Sequence, residues 1–248
     1  MRRFFRVLQQ LLVTLLLLVL LALVLVGGYF AVEGHRLYEQ AVERCPIESL
    51  YPAISGRADF VPYEQLTGTY VNAVIAAEDE RFEQHAGVDP AAIVRALWTD
   101  LRSGSFTEGG STITQQLAKN ELFTQEKHLA RKAAEMFAAL AIEKQYTKQQ
   151  ILEMYVNTIY FGSGHYGIGQ AAQGYFGAAP AQLTDAQAVM LAGLPNAPSV
   201  YSPNSSPELA ARRARVVLRR MVSCRMLTQE QADALAAETA GLQVLPAA

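Results

Sequence analysis

The chain is poor in the residues that would point to a metal or redox protein. It has two cysteines, Cys45 and Cys224, and four histidines, His35, His85, His128 and His165, in 248 residues. None of them forms an HExxH or paired Cys/His spacing, which argues against a structural zinc site. Two cysteines can pair outside the cytoplasm, but sequence does not place them near each other. Charge of one sign is also lacking: 21 basic residues stand against 23 acidic ones, a net charge of -2. That balance gives no electrostatic footprint for nucleic acid. No repeat or low-complexity segment occurs, and strand signals are weak throughout.

One long apolar run is present. Val7 to Val32 carries no charge, and Leu11 to Val26 is almost wholly Leu, Val and Ala. At about 1.5 Å per helical residue, roughly 20 such residues cross a bilayer core. Arg2, Arg3 and Arg6 precede the run, and Glu33, His35, Arg36, Glu39 and Glu43 follow it. The positive-inside bias predicts residues 1–6 as a cytoplasmic tail, 7–32 as a single-pass anchor, and everything after as extracytoplasmic. A cleaved signal peptide is the alternative, disfavoured by the length of the run and the lack of a small-x-small site. Residues 33–61, with Pro46, Pro52 and Gly56, read as a membrane-proximal stalk. Residues 62–248 read as one mainly α domain. Its last two helices are predicted to start at Ser206-Pro207, with proline first in the helix, and at Thr228, with Gln231 completing a capping box.

Two carboxylates sit where solvent-facing acids do not belong. Helical periodicity puts Val71, Ile75, Glu78 and Phe82 on one stripe and turns Asp79, Glu80 and Arg81 away from it. A glutamate on that stripe is desolvated, which makes it a better proton acceptor; the bland reading is a frayed helix end. Glu135 is the lone polar residue in the apolar stretch from Ala133 to Ile142. It must find a partner or line a cavity, and Arg131 one turn earlier is the obvious partner. Taken alone, a buried structural pair is the better explanation of these two residues.

The segment Gly109 to Asn120 is denser in polar groups than a solvated helix needs. Ser111 is expected to cap a helix whose free N–H groups favour an anion. Thr112, Gln116 and Lys119 then share one face, a hydroxyl, an amide and an ammonium suited to diphosphate. A capped surface helix is the bland reading.

In order along the chain, these segments resemble the glycosyltransferase module of penicillin-binding proteins and the monofunctional peptidoglycan glycosyltransferases. The resemblance covers roughly Pro62 to Val222. It is carried by Glu78-Asp79 with Phe82, His85, Gly87 and Asp89; by Gly109 to Asn120; and by Arg131-Lys132 with Glu135. Ile151 to Asn157 with Tyr160, Gly162 and Gly167 follows, then Leu191 to Pro195 with Pro198, Tyr201, Pro203 and Arg212. It implies a lysozyme-like, two-lobed helical domain on a single transmembrane helix in the cytoplasmic membrane. It implies polymerisation of lipid II into β-1,4-linked glycan with inversion and loss of undecaprenyl diphosphate. Glu78 would be the general base and Glu135 a second catalytic carboxylate. Asp79, Phe82, His85, Ser111, Thr112, Gln116, Lys119, Asn120, Arg131 and Lys132 would bind substrate. A divalent cation, Mg2+ or Mn2+, has room in this scheme near Glu135; no organic cofactor does. The implied partners are lipid II, the growing glycan chain, membrane lipids and other wall-synthesis proteins.

Ser103 to Thr107 is a candidate flap beside the cleft. Glu153 and Asn157 are expected to brace the fold. The arginines at 212, 213, 215, 219 and 220 read mainly as a solvated basic face, with lipid or phosphate contact as the lesser alternative. The S-x-x-K and K-T-G motifs of peptide cross-linking do not occur, so glycan polymerisation without transpeptidation is expected. The rival functions are a lytic transglycosylase or lysozyme, which cleaves glycan and has no use for a diphosphate cradle, and a catalytically silent membrane scaffold.

Overall fold

A computed structural model describes residues 2–103, 110–124 and 129–246. Among these the chain is helical, and the single β-bridge joins Tyr160 and Tyr166. Helix α1 spans Arg2–Arg44 without a break. Its 43 residues reach about 65 Å, twice the hydrocarbon thickness of a bilayer. The most apolar window has a mean hydropathy of 3.1 and buries nothing within the protein.

The far end of α1 joins the domain. Gly34 lies so close to α6 (Leu129–Gln145) that a Cβ there would come within 2.5 Å of Ala133 Cβ. His35 and Tyr38 meet Phe137 of the same helix. After α1 come a short 3-10 turn and α2 (Leu50–Ser55). Ala41, Ile47, Leu50, Ile54 and Val61 are all buried in the common core. Residues 33–61 are thus part of the packed domain as well as a link to the apolar helix.

The remaining helices form two groups. α3 (Gly68–Glu78), α9 (Asp185–Gly193), α11 (Pro207–Ser223) and α12 (Gln229–Ala240) pack on one another. α5 (Ile113–Leu122), α6 and α7 (Lys148–Thr158) make the second group, with α8 (Gly167–Phe176) against α7. α4 (Pro90–Ser103) and the four-residue α10 (Pro198–Tyr201) complete the set. This is the lysozyme-like, all-α architecture. Ser206 caps α11 with Pro207 first in the helix, and Thr228 caps α12 in a box with Gln231. Cys45 and Cys224 are free thiols.

Buried polar side chains staple the segment after α2 to α7. Asn157 Oδ1 accepts the Val61 N–H at 2.8 Å, and its Nδ2 donates to the Val61 and Glu153 carbonyls, each at 2.9 Å. Glu153 accepts the Tyr63 N–H and the Tyr51 hydroxyl, each at 2.7 Å. That hydrogen bond, aided by burial, pushes the Tyr51 hydroxyl up to about 12. Asn157→Ala strands both polar groups of Val61 in a buried site. The expected loss is about 3 kcal/mol, checked as a lower thermal unfolding midpoint in detergent.

Candidate active site

Glu78 ends α3, with a side chain 9% exposed. The helix stops here because Asp79 leaves helical geometry (φ -159°) and its carboxylate finds better partners. It accepts the Ile113 N–H at 3.0 Å and pairs with His85 Nε2 at 2.9 Å. Asp79 therefore does not point to solvent as helical spacing implied. It ties the end of α3 to the start of α5.

Phe82 and His85 serve the same brace. The Phe82 ring is fully buried, with Lys148 Nζ 4.5 Å from its centroid. His85 is buried against Asp79, and Lys148 donates to its carbonyl at 2.6 Å. Neither residue lines the cleft described below. The expected substrate contacts at these two positions give way to packing that sets Glu78.

The start of α5 also differs from expectation by one residue. Thr112, not Ser111, is the cap, in a reciprocal box with Gln115. Its hydroxyl donates to the Gly87 carbonyl at 2.6 Å and is 2% exposed as a residue. Gly87 holds φ +96°, and a Cβ there would lie 2.6 Å from the Ala139 carbonyl oxygen, so this contact needs glycine. The Ile113 and Gln115 N–H groups are taken by Asp79 and Thr112. The anion site expected at this helix start is thus partly closed by the protein itself. Gln116 and Lys119 keep the predicted stripe, while Asn120 faces solvent outside the cleft.

Glu135, 1% exposed on α6, is held between two cations. Lys132 Nζ lies 2.9 Å from Oε2 and Arg131 Nε 3.1 Å from Oε1. Lys132 also donates to Ser111 Oγ at 2.6 Å, and Arg131 to the Thr124 carbonyl at 3.0 Å. This donor set does not fit a divalent ion bound directly to Glu135, because both oxygens already face cations. Among the described residues no cluster of three metal-ligating side chains occurs.

The two helix groups meet across a cleft made of two cavities. One, of about 400 Å³, is lined by Gln116, Lys119, Lys132 and Glu135 on one side and by Arg213, Arg220 and Tyr201 on the other. The second, of about 270 Å³, includes Asp79, Glu80, Arg95, Thr112 and Ser223 in its wall. Glu78, Ser111 and Arg220 border both. The first cavity sets four cations against two carboxylates, a surplus suited to an anionic group. The carboxylate between the two spaces is positioned but incompletely bonded. Glu78 Oε2 accepts from Gln116 Nε2 at 2.9 Å, whereas the buried Oε1 has no hydrogen-bond partner among the described residues. Arg213 Nη2 stands 4.0 Å from Oε1.

Arg213 and Arg220 are the site residues that a solvated-face reading of α11 passes over. Arg213 donates from Nε to the Gly193 carbonyl at 3.2 Å and lies 5.8 Å from the Tyr201 ring centroid. Burial lowers its guanidinium from the usual value, and the Glu78 charge pulls the other way. Arg220 donates to the Ala77 carbonyl at 3.1 Å. Residues 213 and 220 are seven apart and flank buried Val217, so they lie on one side of the helix, but that spacing does not say what the side meets. Arg212, Arg215, Arg219 and Arg220 are all exposed, but of these four only Arg220 borders the cleft cavities. Of the candidate flap, positions 104–107 lie outside the described residues.

A family model described as Transglycosylase matches residues 47–222. Penicillin-binding protein 1A of Vibrio cholerae is 46% identical over 175 residues, which are 71% of this chain and 21% of that protein. The Escherichia coli protein of the same name is 47% identical over 173 residues, 70% of this chain and 20% of the relative. A solved structure of penicillin-binding protein 1A from Haemophilus influenzae is 39% identical, covering 41% of this chain and 15% of that one with a TM-score of 0.38. The chain spans about a fifth of the length of these curated relatives.

Proposed function

Because this chain belongs to the transglycosylase family, we propose that it is a peptidoglycan glycosyltransferase that joins lipid II units into β-1,4-linked glycan. The observation that carries this reading is the open oxygen of Glu78 beside a cationic cavity. A glycosyl transfer from a lipid diphosphate needs a base for the incoming hydroxyl and fixed positive charge for the departing diphosphate. Glu78 Oε1 takes the proton of the acceptor 4-hydroxyl. The freed oxygen bonds to the anomeric carbon of the donor chain from the face opposite the diphosphate. The C–O bond to the diphosphate breaks with its electron pair, so configuration inverts. Lys119, Lys132, Arg213 and Arg220 stabilise the charge that collects on the leaving group.

Glu135 holds Lys132 and Arg131 in place rather than meeting substrate charge itself. Gln116 keeps one oxygen of Glu78 occupied, so the base presents a single defined acceptor. Asp79, His85, Phe82 and Thr112 set the angle between α3 and α5 on which this depends. No step runs through a metal ion.

Helix α1 supports a place at a membrane, where a polyprenyl substrate is found. Arg2, Arg3 and Arg6 at its start favour a cytoplasmic N-terminus and an extracytoplasmic cleft. Peptide cross-linking is not assigned to these residues, which carry neither S-x-x-K nor K-T-G. The test is incubation of the vesicle-reconstituted protein with labelled lipid II, followed by sizing of the products. Long glycan is expected. Shortening of added, preformed glycan with lipid II left intact would assign a lytic activity instead.

A further inference from the structure

Behind Glu78 lies a hydrogen-bonded chain whose far end touches neither cavity. Tyr155 of α7 is fully buried and is absent from both cavity walls. Its hydroxyl donates to Gln116 Oε1 at 3.2 Å, and Gln116 Nε2 donates to Glu78 Oε2 at 2.9 Å. A side-chain amide has one accepting end and one donating end, and it can present either. With the phenol donating to Oε1, the N–H₂ end must face the carboxylate. Turned round, the amide would set its own oxygen against Glu78, which repels it and lets the carboxylate swing.

We propose that Tyr155 is a positioning residue for Glu78, fixing the Gln116 amide so that Oε2 is held and Oε1 stays open to the acceptor hydroxyl. The inference rests on the base role proposed for Glu78. Burial and then the Glu78 charge raise the Tyr155 hydroxyl well above its ordinary value, so it remains a donor. The charges facing Glu78 across the cleft, Arg213 and Arg220 of α11, do not contact Tyr155 through any hydrogen bond described. A neighbouring tyrosine supplies the contrast. Tyr70 of α3 is equally buried and feels the Glu78 charge, yet its hydroxyl has no hydrogen-bond partner among the described residues.

The test compares full-length variants turning over lipid II in vesicles. Tyr155→Phe keeps the ring and removes one hydrogen bond, so kcat should fall about tenfold. KM for lipid II and the thermal midpoint should stay near parental values, because neither substrate contact nor packing is lost. In a Gln116→Ala background the same substitution should cost less than about twofold, since the pathway is already cut. Tyr70→Phe should keep the parental kcat. Parental kcat in Tyr155→Phe, with Glu78→Gln inactive, overturns the positioning role and leaves the base role standing. An undiminished effect in the Gln116→Ala background also overturns it, as does a matched loss in both tyrosine variants with lowered midpoints. A Glu78→Gln variant active at the parental rate sinks the base role and this inference together.

Discussion

Glu78→Gln is expected to lower lipid II polymerisation by roughly a thousandfold or more, the range a lost general base costs, with the thermal midpoint unchanged. The amide has the shape of the carboxylate and can still offer its oxygen to Gln116 Nε2. What it cannot do is take a proton from the acceptor hydroxyl. The fold depends little on the charge, because the end of α3 is fixed by Asp79 through His85 and the Ile113 N–H, and Arg213, 4.0 Å from Glu78, keeps its bond to the Gly193 carbonyl. Burial of an oxygen with no hydrogen-bond partner among the described residues is costly, so the side chain is better explained by a guest that completes it. Product sizing and a melting curve on the same preparation check both halves. Parental turnover would remove Glu78 from the base role.

Glu135→Gln is the second large effect, with a different signature. The side chain meets cations on both sides, Lys132 at 2.9 Å and Arg131 at 3.1 Å. Removing its charge frees Lys132 from the place where it borders the cationic cavity. It also weakens the hold on Arg131, whose Nε lies 3.1 Å from Oε1. Turnover should fall about a hundredfold, as when one fixed transition-state donor is lost. Stability should fall too, by about 3 kcal/mol, because a largely buried charge pair is broken. Activity and unfolding are therefore expected to change together here and separately at Glu78. Unaltered turnover with a lowered melting midpoint would make Glu135 a purely structural partner.

The features legible in the sequence were those decided locally. The starts of α11 and α12 follow from Ser206-Pro207 and from Thr228 with Gln231, all within one helical turn. The Arg131–Glu135 pair follows from i, i+4 spacing. The cap of α5 was legible as well, but at Thr112: Gln115 sits three residues beyond Thr112, whereas Ser111 has Thr114 in that place. Features that depend on distant partners were not legible. Asp79 is turned inward by the N–H of residue 113 and the ring of residue 85, so helical periodicity ends one residue too soon to place it. Gln116 meets Glu78 across 38 residues of chain, and Tyr155 stands a further 39 away. Arg213 and Arg220 become cleft residues only because α11 packs on α3. A count of arginines along the helix says nothing of that neighbour.

The most direct measurement counts two products at once in vesicles supplied with lipid II: glycosidic bonds formed and polyprenyl diphosphate released. Equal numbers are expected in the parental protein, with strands that lengthen with time, and neither product from Glu78→Gln. Diphosphate release without new glycosidic bonds, or bond formation that persists in Glu78→Gln, would contradict this.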